Sequence, residues 1–388
     1  MPVLLLAAVA FAAPDVFTVS DPANPAALQA AIDAASDGDV IRVEAGVYSP
    51  CHVDRKSLVI HVVDPAGAIG RIEVTNLAAD QSFTLTGAAS PTPQLNSVSL
   101  LIDGCAGPVY VSGLALDKIH FEGGTPTLEV FDSNAVVLHE LMVGAGWDCF
   151  YAGPCAGVLA ASVTRSKAAM SACTIEGRDG LNNGPGGTAL DCLDSDLFLQ
   201  GCRLVGGDGD GGFGCDDWLT SDAGGSGLLA GGASHVAIID SHFEAGISGN
   251  GFLAKFCPDS EGRNLCIVPG SSVEFQSRFE VELHMPSTTP DAVDVPIEVE
   301  GTPGHALLML VGSSQSFAAL PGVEGALLLT GRGVDTGRFL IGPSPATWSW
   351  TAPDLAAGAS STYWFQPLQL RPGKMVFGHA EPLTVFGR

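Results

Sequence analysis

The feature that most constrains this chain is a repeat. Four segments align on a serine: SNAVVLHELMVGAG from Ser133, SKAAMSACTIEG from Ser166, SDLFLQGCRLVGG from Ser195 and SHVAIIDSHFEAG from Ser234. The serines are 33, 29 and 39 residues apart. Two places after the serine stand Ala135, Ala168, Leu197 and Val236; four places after stand Val137, Met170, Leu199 and Ile238; nine places after stand Met142, Ile175, Leu204 and Phe243. All are apolar. The even spacing of the first two columns is strand periodicity, and the odd offset of the third implies a bend between two short strands. A unit of this size cannot bury its inner face alone. Parallel stacking buries it against the next unit, which defines a β-solenoid.

The stretch NPAALQAAIDAASDGDVIRVEAGVYS reads as Asn24 capping a helix with Pro25 at its first position, Leu28, Ile32 and Ala35 on one face, then a strand over 40–43. A short amphipathic helix ahead of the first strand suits the open end of a solenoid core. With its Gly38-Asp39 turn and Gly46-Val47-Tyr48 ending, this opening resembles that of right-handed parallel β-helix proteins with the pectin-lyase-like fold. The resemblance covers about residues 20–270 and implies an all-β protein, a right-handed parallel β-helix with an N-terminal capping helix. It leaves function open, because the fold hosts lyases, hydrolases, epimerases, adhesins and non-catalytic proteins.

The character changes near residue 272. Short alternating strands at 272–283, 295–299 and 306–311 are separated by Pro and Gly turns, with Trp348, Trp350 and Trp364 among them. The expected layout is a signal peptide over 1–12, a β-helix over 13–271 and a small β-sandwich over 272–388. The signal rests on MPVLLLAAVAFAAP, an uncharged apolar run with an Ala10-Phe11-Ala12 ending, too short to span a bilayer. A secreted or cell-surface protein is therefore expected, with no membrane span.

Ten cysteines in an exported chain favour disulfides over zinc or thiol chemistry, and no C-x-x-C pair occurs. Spacing suggests Cys149 with Cys155 and Cys257 with Cys266. Cys173 and Cys202 share one repeat column, as disulfide partners or as stacked buried thiols. Cys192 is then left for Cys215, and Cys51 for Cys105. The formal net charge is −25, of which −20 lies in residues 1–271, where 11 Lys and Arg face 31 Asp and Glu. Such a surface repels nucleic acid and anionic membranes. A polyanionic sugar would need bridging cations.

Insertions follow the third repeat column, at 144–157, 177–187, 206–227 and 246–267. Equivalent positions in a stacked solenoid lie about 4.8 Å apart, so the four loops should form one wall. It would carry Trp147, Asp148, Phe150 and Tyr151, then Arg178 and Asp179, then Asp208, Asp210, Phe213, Asp216, Asp217 and Trp218, then Lys255 and Phe256. Trp147, Phe150, Tyr151, Phe213 and Trp218 suit a sugar, since ring faces pack on the apolar side of a pyranose while carboxylates accept its hydroxyl protons. Calcium is a second option, with Asp208, Asp210, Asp216 and Asp217 as oxygen ligands. GGFGCDDWL, 211–219, matches one G-G-x-G-x-D-x-U-x nonapeptide, although Gly211 stands where an adjacent copy needs Asp. The same residues also read as a glycine-rich turn with solvated aspartates.

Catalysis can be drawn in two ways. In polysaccharide lyases of the resembled fold, calcium works with an Arg or Lys base; Arg178, Lys167, Arg165 and Lys255 are the candidates. In the hydrolases of that fold an Asp-Asp pair works as acid and base, which Asp216-Asp217 would supply. Neighbours on a strand point oppositely, however, and the companion G-H-G and R-I-K motifs are absent. His139, His235 and His242 fall in different repeat columns and read as solvent-facing. Two functions follow: a surface that binds or cleaves extracellular polysaccharide, or a non-catalytic structural or adhesion protein with the solenoid as spacer.

Overall fold

The computed structural model describes residues 15–64, 67–87, 96–117, 125–145, 147–149, 155–180, 184–209, 224–247, 264–276, 281–286, 288–301, 303–312, 314–319, 323–324, 326–330, 335–341, 345–355, 360–378 and 380–386. The expected signal peptide over 1–12 lies outside them.

The N-terminal two thirds is a stack of parallel strands of the β-helix kind. A ten-stranded parallel sheet, the first face, runs from Val16–Val19 through Asp39–Val43, Leu58–Val62, Phe83–Thr86, Val109–Ser112, Val136–His139, Lys167–Ser171, Asp196–Gln200 and His235–Ile239 to Ser272–Phe275. A fourteen-stranded sheet makes the other two faces. One run, the second face, contains Ala115–Asp117, Met142–Gly144, Thr174–Glu176, Arg203–Val205 and His242–Glu244. The other, the third face, contains Leu128–Phe131, Ala161–Thr164, Leu190–Leu193, Leu228–Gly231 and Leu265–Ile267. The long strands Gly67–Thr75 and Asn96–Asp103 cross from one run to the other.

Alternation sorts each strand into inward and outward sets. On the first face Ile41, Ile60, Leu85, Val111, Leu138, Met170, Leu199 and Ile238 pair in register, each at most 1% exposed. The repeat predicted this column with one slip. Val136 and Leu138, not Ala135 and Val137, align with Ala168 and Met170, and Val143, not Met142, aligns with Ile175. Asn134 is the extra residue, and because side chains alternate, a shift of one moves a residue to the opposite face. Met142 is accordingly 46% exposed, and Val137 points outward from the core.

The serines themselves do align, as a hydrogen-bond ladder. Ser133 Oγ accepts the Cys105 N–H (3.1 Å), Ser166 Oγ the Ser133 N–H (3.1 Å), Ser195 Oγ the Ser166 N–H (3.0 Å) and Ser234 Oγ the Ser195 N–H (3.3 Å). All four are buried. They follow a corner at which Asp132, Arg165 and Asp194 hold left-handed φ of 45–51°. A second such corner, between the first and second faces, is made by Glu140, Ala172, Gly201 and Asp240.

The cysteines follow this pattern rather than forming bridges. Cys51, Cys105, Cys173, Cys192, Cys202 and Cys266 are all free thiols, which corrects the expected Cys51–Cys105, Cys173–Cys202, Cys192–Cys215 and Cys257–Cys266 disulfides as far as the described residues reach. Cys105 occupies the serine column, and its Sγ donates to Asp103 O, two residues back, as Ser133 Oγ donates to Phe131 O. Cys173 and Cys202 do the same to Ser171 O and Gln200 O in the second corner's column, where Ser241 is the next member. Cys51 and Cys192 point into the apolar core, and burial pushes both thiols up to about 12. Cys215 and Cys257 lie outside the described residues.

The helix is Ala27–Ala34, with Leu28 and Ile32 buried in the core. It begins two residues later than expected, but Asn24 still serves its start, accepting the Ala26 N–H on Oδ1 (3.2 Å).

From Val281 onward the pairing is mostly antiparallel, in sheets of three, seven and two strands. This part lies against the first face. Tyr110, Val137, Ala169, Phe198 and Ala237 form one outward row of that face. They share an apolar cluster with Trp350, Trp364 and Phe365, and Tyr110 meets Trp364 edge to face at 4.3 Å. His139, in the neighbouring outward row, is therefore buried and bonded to Ser171 Oγ (2.9 Å), not solvent-facing. His235 and His242 are exposed as expected.

Candidate functional site

The insertions leave the second face and return to the third, all at one corner. Glycine makes that corner. The outgoing arms 177–180, 206–209 and 244–247 and the returning arms 184–188 and 224–227 are bonded to one another through backbone. Gly187 N–H donates to Arg178 O (2.8 Å), Gly207 to Gly187 O (2.8 Å), Gly225 to Gly207 O (2.8 Å) and Gly246 to Gly225 O (2.9 Å). Outgoing arms also join directly, Gly180 to Asp208 O (2.7 Å) and Gly209 to Ile247 O (2.9 Å). The backbones approach so closely that a Cβ on Gly187, Gly207, Gly225 or Gly246 would collide with a carbonyl oxygen of a neighbouring arm. Only glycine permits such contact.

Two aspartates lock the outgoing arms. Asp179 Oδ1 accepts the Asp208 N–H (2.8 Å), and Asp208 Oδ1 accepts the Ile247 N–H (2.8 Å). Asp208, expected as a calcium ligand, thus commits one carboxylate oxygen to its neighbour's backbone. No group of three His, Cys, Asp or Glu among the described residues has the geometry of a metal site. Asp210, Phe213, Asp216, Asp217 and Trp218 lie outside the described residues, as do Phe150, Tyr151, Lys255 and Phe256.

Trp147 and Arg178 are placed at this corner. Trp147–Cys149 pairs antiparallel with Cys155–Gly157, setting Trp147 opposite Gly157 and Cys149 opposite Cys155. Arg178 is half-buried in the outgoing arm between Gly177 and Asp179. Arg165 and Lys167, by contrast, are not near the wall. Arg165 sits at the corner between the third and first faces, with two hydrogen bonds to Asp132 (2.7 and 2.8 Å), and Lys167 faces Asp196 on the first face (3.7 Å). Arg165 holds the Asp132 carboxyl below the usual carboxylate range.

Sequence reasoning passed over one titratable group beside the corner. Asp191, second residue of Leu190–Leu193, points out of the third face, and burial raises its carboxyl above the ordinary range. The signal was available once the register was known, since Glu129, Ser162 and Asp191 occupy one outward row.

No family model matches this chain, and no curated protein does. Among solved structures, the sulfur carrier protein SoxY from Chlorobium limicola f thiosulfatophilum aligns over 28% of this chain and 82% of its own, at 10% identity and a TM-score of 0.17. An overlap that slight carries no argument about function.

Proposed function

We propose that the protein is a secreted, capped right-handed parallel β-helix that engages extracellular polysaccharide through the loops at the glycine-built corner. The observation that supports this reading is the mutual bonding of the loop arms, Gly187 to Arg178, Gly207 to Gly187, Gly225 to Gly207 and Gly246 to Gly225. Arms fastened in this way leave and return at one edge of a rigid stack, so a polysaccharide lying along that edge would meet successive arms. Rigid scaffolds that present loops are where binding residues concentrate. Trp147, Phe150, Tyr151, Phe213 and Trp218 supply rings for pyranose faces, and the acidic character of the wall selects neutral glycans, or acidic ones bridged by calcium.

The test is retention on a panel of immobilised neutral and acidic polysaccharides, with and without millimolar calcium. Retention by at least one polysaccharide, weakened at least tenfold by Trp147→Ala and Trp218→Ala together, is expected. Silence across the panel would sink the reading and leave the solenoid as a spacer. Calcium is tested separately through melting temperature, where an ion bound only by the folded state raises stability by mass action. That rise should vanish in Asp216→Ala with Asp217→Ala.

A further inference from the structure

The corner between the first and second faces carries one column of side chains, each directly after a left-handed residue. Cys173, Cys202 and Ser241 occupy it in successive coils, after Ala172, Gly201 and Asp240. The fold asks this column for a donor to the carbonyl two residues back, and Ser241 meets that need with a hydroxyl, bonded to Ile239 O. Two successive coils use sulfur instead, Cys173 on Ser171 O (3.3 Å) and Cys202 on Gln200 O (3.5 Å). Both thiols are 2% exposed and belong to the apolar core. Pairing of Thr174 with Arg203 keeps the two cysteines in register, one coil or about 4.8 Å apart, and their sulfurs act on each other directly. The other described thiols have no such company. Cys51 pairs with Ile72, Cys192 with Val163 and Ala230, and Cys266 with Leu229, while Cys105 is followed by Ser133. The Leu141 N–H acts on the Cys173 sulfur, and the Cys173 N–H on the Cys202 sulfur, in the sense that favours a thiolate. Cover above the pair is thin, since Ala172 and Gly201 are exposed and the space beside Gly201 is open.

We propose that Cys173 and Cys202 form a buried two-sulfur site for a soft monovalent cation of the Cu(I) type. The site is independent of the polysaccharide reading. Thiolate ligands select soft ions such as Cu(I), whereas a serine hydroxyl in the same place would not. Two metal–sulfur bonds of about 2.3 Å laid in line span about 4.6 Å, close to the spacing of about 4.8 Å between coils. No third His, Cys, Asp or Glu completes a metal cluster with them among the described residues. Zinc, which takes four ligands, and calcium, which takes six to eight oxygens, are therefore unsuited, and a cation content with two sulfurs remains. On binding, each sulfur releases its proton to solvent and gives one lone pair to the ion, so two S–H bonds break and two sulfur–metal bonds form. The ion keeps its oxidation state. The complex carries a single negative charge in the core, which the Leu141 and Cys173 N–H groups offset. Entry needs only a local opening of the corner at Ala172 and Gly201.

The experiment titrates the full, reduced chain with Cu(I) in the absence of oxygen, against a chromogenic Cu(I) chelator, and reads bound equivalents and melting temperature. Wild type should hold one equivalent more than Cys173→Ser or Cys202→Ser, and the double variant should lose no more than either single one. Ser241 shows that the column accepts serine, so the metal-free variants should melt close to wild type. Cu(I) should raise the wild-type melting temperature by mass action, a rise absent in both variants and kept in Cys105→Ser and Cys192→Ser. Wild type alone gives a further readout that needs no variant to fold. In denaturant just below the unfolding transition, Cu(I) should shield Cys173 and Cys202 from alkylation more than Cys105 or Cys192. Equal equivalents in wild type and both single variants, loss of an equivalent only when both cysteines are replaced, or shielding no greater at the pair than at Cys105 would each overturn the site.

Discussion

At the scale of single residues, one geometry accounts for both the serines and the cysteines. Each corner needs a small side chain that donates to a carbonyl two residues back, or three in the case of Ser234, and in the serine column the oxygen also receives the preceding coil's N–H. Ser133, Ser166, Ser195 and Ser234 do both, and Cys105 fills the same place with a thiol. Ser195→Ala leaves the Ser166 N–H buried without an acceptor, a loss of about 1–3 kcal/mol. Ser195→Cys keeps a weak donor and acceptor of similar shape and should lose less, as measured by urea denaturation of both variants. Differential alkylation checks the thiols. Cys51, Cys105, Cys173, Cys192 and Cys202, all buried, should resist iodoacetamide at pH 8 in the native protein and react fully in guanidinium, because burial disfavours the reactive thiolate. Recovery of any of them as a disulfide would contradict the free-thiol assignment. Asp191 gives a pH signature. Its folded carboxyl binds a proton more tightly than the unfolded one, so folding is favoured below the unfolded value of about 3.9 and loses that advantage as pH rises through the raised folded value. Asp191→Asn should therefore melt higher than wild type at pH 7 and equal to it near pH 3.

At the scale of elements, the glycines divide into two kinds that sequence inspection treats alike. Gly201 has a left-handed φ of 59° and open space around it. Gly207 sits where a Cβ would strike Arg178 O. Gly201→Ala should cost about 1 kcal/mol, the strain of an alanine in that region. Gly207→Ala should cost about 3 kcal/mol or more, because the obstacle is backbone tied into the ladder and has no free volume to yield. Denaturant midpoints of the two variants test the difference, and equal midpoints would contradict the close packing of the arms. The motif GGDGDGGFGCDDW, read from sequence as an acidic loop, begins as a structural arm. Its Gly207 accepts and donates in the ladder and its Asp208 pins Ile247.

At the scale of the whole molecule, the C-terminal antiparallel part and the parallel stack share one apolar cluster. Tyr110 and Trp364 are both at most 4% exposed. Truncating either to alanine should cost about 3–5 kcal/mol. A double-mutant cycle should return a coupling of about 0.5–1.5 kcal/mol for the edge-to-face pair. No coupling would mean that the two parts do not hold this contact in solution. Much of the stack was legible in the chain, since period-two apolar columns and a thirty-residue repeat leave few ways to bury an inner face. Sequence alone determined that this is a nearly all-β, parallel, stacked protein with loops gathered at one corner. The outward columns were not legible. Val137 read as core because Asn134 shifts one repeat by a single place, and alternation converts that shift into a change of face. Tertiary structure alone decided which of these residues meet, since Glu129, Ser162 and Asp191 are neighbours only through hydrogen bonds between coils some thirty residues apart. It likewise decided that cysteines stack as thiols and that tryptophans far along the chain close over the first face. Local alternation fixes which side of a strand a residue takes, whereas its company on that side is set by register between coils.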